Sequence, residues 1–209
     1  MTKAAAIIAI LVTLSLPLTA NAQPPDFYLG IMGGYGYQHR ASYSSDRSYA
    51  EDEEKLSGSF LGAYGGAGWG LGALEAGWLS LPRTHAYAVG LAPERTGTQD
   101  ITGSALFARA LLRAPEDWTL RPYGFAGVAR VKAENHEYGE CAACGPNYRP
   151  DFRETMTALR PYIGAGAELT LFGPVSARAE FGYIPGAIQS AHVAKRDYLL
   201  GSLAVQIRF

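Results

Sequence analysis

Three features of this 209-residue sequence predict an all-β fold, an eight-stranded antiparallel up-and-down transmembrane β-barrel. Apolar residues recur at every second position through successive segments, the period of a strand with one apolar face. The segments run to about 9–14 residues, whereas strands of water-soluble proteins usually hold about 5 or 6 and a tilted bilayer span needs about 9–11. The polar connections alternate long and short along the chain, as in an up-and-down sheet whose long loops gather at one end.

The alternation can be followed segment by segment. In residues 26–41, Phe27, Leu29, Ile31, Tyr35 and Tyr37 oppose Tyr28, Gly30, Gly34, Gly36 and Gln38. The next segment, 55–66, is the least regular, and Phe60 and Tyr64 are assigned to its apolar face. In 70–81, Leu74, Ala76 and Trp78 oppose Ala73, Glu75 and Gly77; in 98–113, Leu106, Ala108, Ala110 and Leu112 oppose Ala105, Phe107, Arg109 and Arg113. In 121–135, Tyr123, Phe125, Ala129 and Val131 are set against Gly124, Ala126, Arg130 and Lys132. Three segments with a common dyad follow. Residues 154–172 place Ile163, Ala165, Ala167, Leu169 and Leu171 opposite Arg160, Tyr162, Gly164, Gly166 and Glu168. Residues 174–185 place Val175, Ala177, Ala179, Phe181 and Tyr183 opposite Ser176, Arg178, Glu180 and Gly182. In 197–209, Leu199, Leu203, Val205, Ile207 and Phe209 oppose Tyr198, Ser202, Gln206 and Arg208. Long polar stretches fall near 42–55, 82–97, 135–153 and 185–196, and short links near 67–70, 114–120 and 172–174, so both termini belong to the short-turn end.

Composition agrees. The chain is 48% hydrophobic but only 18% charged, with 25 glycines and no Gly-X-Y period, which excludes collagen, coiled coil and disorder. A net charge of −1 leaves no basic footprint for nucleic acid. The rival for residues 56–74, an uncharged helical span, contains glycines at 58, 62, 65, 66, 68, 70 and 72. Each costs about 1 kcal/mol in a helix, whereas in a narrow barrel glycine lets the wall curve and admits large neighbours. Aromatic residues at the ends of the apolar face, among them Tyr35, Trp78, Tyr123 and Phe209, suit a headgroup girdle.

Residues 1–22 read as a cleaved secretory signal: Lys3, an apolar run from Ala4 to Leu18, and the small-x-small site Ala20-Asn21-Ala22. Residues 23–209 then form the barrel domain. With this signal, the alternating strands, the motif Arg160-Pro161-Tyr162-Ile163-Gly164-Ala165-Gly166 and the ending Leu203-Ala204-Val205-Gln206-Ile207-Arg208-Phe209, the chain resembles the small eight-stranded outer-membrane barrels of Gram-negative bacteria. It is similar to the membrane domain of outer-membrane protein A and to the opacity-type surface proteins. The resemblance implies an outer-membrane location, a monomer, contact with outer-membrane lipids including lipopolysaccharide, and an extracellular or host ligand for the loops. It also implies recognition by the barrel assembly machinery through Phe209.

Glu75, Arg109, Arg130, Glu168, Arg178 and Glu180 are expected to face the lumen as a paired polar network, because unpaired charge in a tight lumen is costly and an eight-stranded barrel is only wide enough for its side chains. A gated narrow conductance is the alternative. Cys141 and Cys144 are expected to form a small disulfide bracing the third long loop, ahead of metal or redox chemistry. The run Glu51-Asp52-Glu53-Glu54 reads as a solvated face, with divalent-cation binding as its alternative. His39, His85, His136 and His192 are scattered, and Ser190, His192 and Asp197 lack a triad-like order. No enzyme activity, cofactor or metal is expected, a lipid-modifying enzyme remaining the minority alternative.

Overall fold

A computed structural model describes residues 25–40, 49–55, 57–90, 95–115, 117–141, 151–188 and 196–209. The expected signal segment, 1–22, lies outside the described residues. Nine strands follow one another: β1 (Asp26–Arg40), β2 (Tyr49–Lys55), β3 (Ser57–Trp69), β4 (Gly72–Gly90), β5 (Arg95–Arg113), β6 (Leu120–Cys141), β7 (Asp151–Phe172), β8 (Val175–Ile188) and β9 (Arg196–Arg208). All pairings are antiparallel. The ladder runs β1-β3-β4-β5-β6-β7-β8-β9 and back to β1, a closed barrel of eight walls, with β2 pairing β4 beyond the end of β3. The Phe209 N–H donates to the Phe27 carbonyl at 2.9 Å, tying the start of β1 to the residue after β9. Of the rival helical span, residues 57–74 belong to β3, its turn and β4, and residue 56 lies outside the described residues.

The short-turn end is made by local chemistry. Gly70, after β3, and Gly173, before β8, take φ of 54° and 49°, a left-handed conformation that costs a residue with a Cβ but not glycine. At the other end the strands run well past their expected bounds. Val89 still pairs Thr96, and Tyr138 still pairs Asp151, so most of the expected loops at 82–97 and 135–153 are sheet. These extensions carry no regular apolar alternation. Between Leu81 and Thr84 the β4–β5 ladder shifts register at Pro82, where a residue without an N–H is tolerated.

Phe27, Leu29, Ile31, Leu61, Leu74, Trp78, Leu106, Leu159, Ile163, Phe181, Leu203 and Ile207 are exposed, forming an outward apolar belt. The inward residues are buried. Two face assignments are overturned. On β6, Tyr123, Phe125, Ala129 and Val131 are buried, while Gly124, Ala126, Val128 and Arg130 face outward; Tyr123 is therefore no girdle residue. On β3, Phe60 and Tyr64 are likewise buried, at 3% and 4% exposure. The physical reason is that the lumen takes rings wherever the adjoining strand offers glycine. Tyr28 and Tyr64 lie over each other's strand: a Cβ on Gly30 would come within 2.4 Å of the Tyr64 ring, and one on Gly66 within 2.6 Å of Tyr28. Phe125 covers Gly164 in the same way.

Candidate functional site

The inward charges of five strands meet in the lumen, because side-chain parity on each strand sends them to the same side of the wall. Glu75 and Arg109 are register partners across β4 and β5, as are Glu168 and Arg178 across β7 and β8. Arg109 lies between two carboxylates. Its Nε and Nη2 donate to Glu75 Oε2 at 2.8 and 2.7 Å, and its Nη1 and Nη2 to Glu180 Oε1 and Oε2 at 2.5 and 2.9 Å. Arg178 also bridges two, with Nη1 on Glu75 Oε1 at 2.5 Å and Nε on Glu168 Oε2 at 3.2 Å. Arg208 donates to the other Glu168 oxygen.

Hydroxyls complete the carboxylates' hydrogen bonding. Tyr28 donates to Glu75 at 2.8 Å, Tyr123 to Glu180 at 2.9 Å and Tyr162 to Glu180 at 3.3 Å. Rings also hold the guanidiniums: Arg109 Cζ lies 4.3 Å from the Phe125 centroid and 5.0 Å from that of Phe107, while Arg178 lies 5.0 Å from Tyr123 and 5.3 Å from Tyr64. Such cation–π contacts gain strength when desolvated, and Arg109, Glu75 and Glu168 are buried.

Five of the six expected network residues, Glu75, Arg109, Glu168, Arg178 and Glu180, are thus brought together. Arg130 is not. It stands on the outer face between its ladder partners Leu106 and Leu159, with Lys132, paired to Glu134 at 3.1 Å, on the same face further along. Reading β6 with its other face inward would put Arg130 in the lumen, but Tyr123 and Phe125 fill that side. The network members missing from the expectation are Tyr28, Tyr123, Tyr162, Gln206 and Arg208. All but Tyr123 have the inward parity assigned from the sequence, and the signal that would have added them is the need of buried carboxylates for further donors.

Toward the long-loop end an apolar layer containing Leu79, Leu81, Ile101, Ile184, Ile188 and Leu200 fills the lumen. Beyond the carboxylate network there is a second polar group. Thr84 Oγ1 and Arg196 Nη1 donate to Gln38 Oε1 at 3.2 and 3.1 Å, and the Gln38 amide donates to Tyr198. Asp197 accepts from Tyr183 OH and from the Gly186 N–H, both at 2.6 Å; Ser190 and His192 lie outside the described residues. A depression of about 660 Å³ on the outer wall is floored by Gly33, Ala165, Ala179 and Gly201 between Tyr35 and Phe181.

Outside the belt, His85 Nδ1 and Arg83 Nη2 meet Asp100 at 2.6 and 2.9 Å, and His136 Nε2 meets Asp151 at 2.7 Å. That hydrogen bond, with Arg153 nearby, holds the Asp151 carboxyl below its ordinary range. Cys141 is the last residue of β6, and its expected partner Cys144 lies outside the described residues. Glu51 to Glu54 lie on β2, whose register shifts between Glu51 and Glu53. Phe209 faces outward, 74% exposed. Among the described residues no group of three or more metal-ligating side chains gathers.

No protein-family model matches the sequence, and no curated protein matches it. Solved structures do match in fold. Neisserial surface protein A superposes with a TM-score of 0.58 at 12% identity, over 88% of this chain and 97% of that one. Ail, the attachment invasion locus protein of Yersinia pestis, solved with the heparin analogue sucrose octasulfate, gives 0.51 at 13% identity, over 90% and 100%. The outer-membrane protein OprG of Pseudomonas aeruginosa gives 0.50 at 14% identity, over 88% and 97%. With a closed circuit of eight antiparallel walls, an outward apolar belt and an inward polar network, this chain is a small eight-stranded β-barrel of the outer-membrane type.

Proposed function

We propose that this protein is a non-enzymatic, monomeric outer-membrane barrel whose role is structural and interactive, a rigid wall that presents its long-loop end to the exterior for adhesion or envelope integrity. The observation that carries this reading is the lumen itself: Glu75, Glu168 and Glu180 are occupied by Arg109, Arg178 and Arg208, and an apolar layer stands above them. A plug built this way stiffens a wall, and function then falls to what the wall displays. Arg130, outward at the edge of the belt between Leu106 and Leu159, and Lys132, further along the same face, suit the phosphates of outer-leaflet lipopolysaccharide. Ail with its bound heparin analogue is a precedent for a barrel of this fold holding a sulfated sugar, and the loops here would meet an extracellular or host ligand in a comparable role. Phe209, outward at the end of β9, is the expected handle for the barrel assembly machinery.

The test is a binding assay on host cells and on lipopolysaccharide, comparing the intact chain with variants whose segments 41–48, 142–150 and 189–195 are replaced by short Gly-Ser turns. Binding should fall while heat-modifiable gel mobility, the mark of a folded barrel, is kept. Unchanged binding would refute the display role. Reproducible conductance in planar bilayers that changes with Glu168 or Arg178 substitution would favour a channel, and lipid turnover abolished by Ser190→Ala or His192→Ala would favour an enzyme.

A further inference from the structure

The network's balance of charge changes toward the short-turn end. Glu75 and Glu180 are matched by Arg109 and Arg178. Glu168 is the remaining lumen carboxylate of the network, and it faces Arg178, Arg208 and Arg113 together. Among the described residues, Arg109, Arg113, Arg178 and Arg208 exceed the three glutamates by one positive charge, leaving aside buried Arg121, the ladder partner of Glu168, whose guanidinium donates to the Ala114 carbonyl. Arg113 and Arg178 are buried, and the Tyr28 ring is shared between them, its centroid 5.8 Å from one Cζ and 5.4 Å from the other.

Hydrogen bonding at the same level is unbalanced in the same sense. Among the described residues, Arg113 Nε, Arg178 Nη2, Arg208 Nε and Gln206 Nε2 are buried donors with no acceptor, and the Ser176 hydroxyl is also without a partner. Ser176 and Gln206 are ladder partners on β8 and β9, and both are at least nine-tenths buried, as are Arg113 and Arg178. Gln206 Oε1 is taken by Tyr64 OH at 3.1 Å, which leaves its amide N–H groups pointing elsewhere. Buried donors are nearly always matched, and a desolvated guanidinium without a full counter-charge is costly. Water could accept the hydrogen bonds but would leave the charge. A single compact anion does both.

We propose that the short-turn end of the lumen binds one halide-sized monovalent anion, held by Arg113, Arg178, Arg208, Gln206 and Ser176 opposite Glu168. Aromatic walls and tight burial favour a small, weakly hydrated ion over a phosphate or carboxylate. The bound anion neutralises the excess charge and makes barrel stability depend on halide.

The test uses the folded chain in zwitterionic micelles and reads the midpoint of the heat-induced gel-mobility shift. Chloride is titrated against gluconate at constant ionic strength. In the wild type the midpoint should rise saturably with chloride. Ser176→Ala, which removes one neutral donor, should raise the half-saturating chloride concentration by about tenfold. Gln206→Glu puts a carboxylate where the anion would sit, and should give a midpoint that is high and indifferent to chloride. Crystals grown in bromide should show an anomalous peak among the named side chains. Equal wild-type midpoints in chloride and gluconate, or a Gln206→Glu barrel that keeps the wild-type chloride response, would overturn the proposal in favour of water. If Gln206→Glu does not refold, the wild-type titration and the bromide peak decide.

Discussion

Replacing Arg109 by methionine removes the guanidinium that serves two buried carboxylates, and the two are left in unequal states. Glu75 keeps Arg178 at 2.5 Å and Tyr28 at 2.8 Å. Among the described residues, Glu180 keeps only the hydroxyls of Tyr123 and Tyr162, at 2.9 and 3.3 Å, and no paired cation. Breaking a buried ion pair by removing one partner typically costs about 3–5 kcal/mol, because the survivor's charge is left uncompensated. The methionine retains packing against Phe107 and Phe125, so most of the expected loss of about 3–5 kcal/mol comes from Glu180. Adding Glu180→Gln should therefore recover at least about 2 kcal/mol, a coupling within the range seen for contacting residues, whereas adding Glu75→Gln should recover little. The assay is urea unfolding of the refolded chain in phospholipid vesicles, followed by tryptophan fluorescence and by gel mobility. A loss below about 1 kcal/mol for Arg109→Met, or equal rescue by the two glutamine substitutions, would refute the assignment of the buried charge to Glu180.

Other outcomes follow from particular contacts. Gly30→Val should displace the Tyr64 ring and, through it, the bond to Gln206, costing about 1–3 kcal/mol as overpacking does; a variant with the wild-type urea midpoint would contradict the close approach. Spin labels at Ala126 and Val128 should be relaxed by lipid-dissolved oxygen and a label at Ala129 should not; the reverse order would restore the inverted face of β6. The depressed Asp151 carboxyl contributes stability above the ordinary carboxylate range, and that contribution is lost as pH falls through its lowered folded-state value. Carbon-13 titration should show Asp151 moving up toward the ordinary range in His136→Ala, and no movement would mean that His136 is not the cause.

The parts of the site that can be read from sequence are those where one residue type decides the face. A glutamate, or an arginine well inside the belt, alternating with leucine or alanine turns from lipid, so Glu75, Arg109, Glu168, Arg178 and Glu180 are legible from their own strands, whereas an arginine at the belt's edge, such as Arg130, is not bound by that rule. The face of β6 is not legible in that way, because both candidate faces are free of acids through the membrane span. Tyr123 and Phe125 compete there with Gly124, Ala126 and Val128, and what decides is the adjoining strand, where Gly164 and Gly166 leave room for rings. That information lies across the ladder, not along it, and Arg130 was misplaced as a consequence. Strand extension past the belt is similarly hidden, since residues such as Thr96 and Thr98 pair on both sides and carry no apolar period. The eight-walled architecture survives these errors because strand number depends on the alternation existing, whichever face it presents.

The seam between β1 and β9 has a consequence for assembly. It joins the first and last of the described strands, with Tyr28 opposite Arg208 and Phe209 bonded to Phe27, so its ladder cannot form until β9 arrives. Until then both edges expose a row of unpaired amides, which hydrocarbon cannot solvate and which invite pairing with other chains. Closure is therefore an all-or-none event governed by the longest-range contacts in the molecule, and such contacts make folding slow. A nascent chain must be shielded along both edges during that wait, and loss of β9 as a whole would leave the cylinder open along its length.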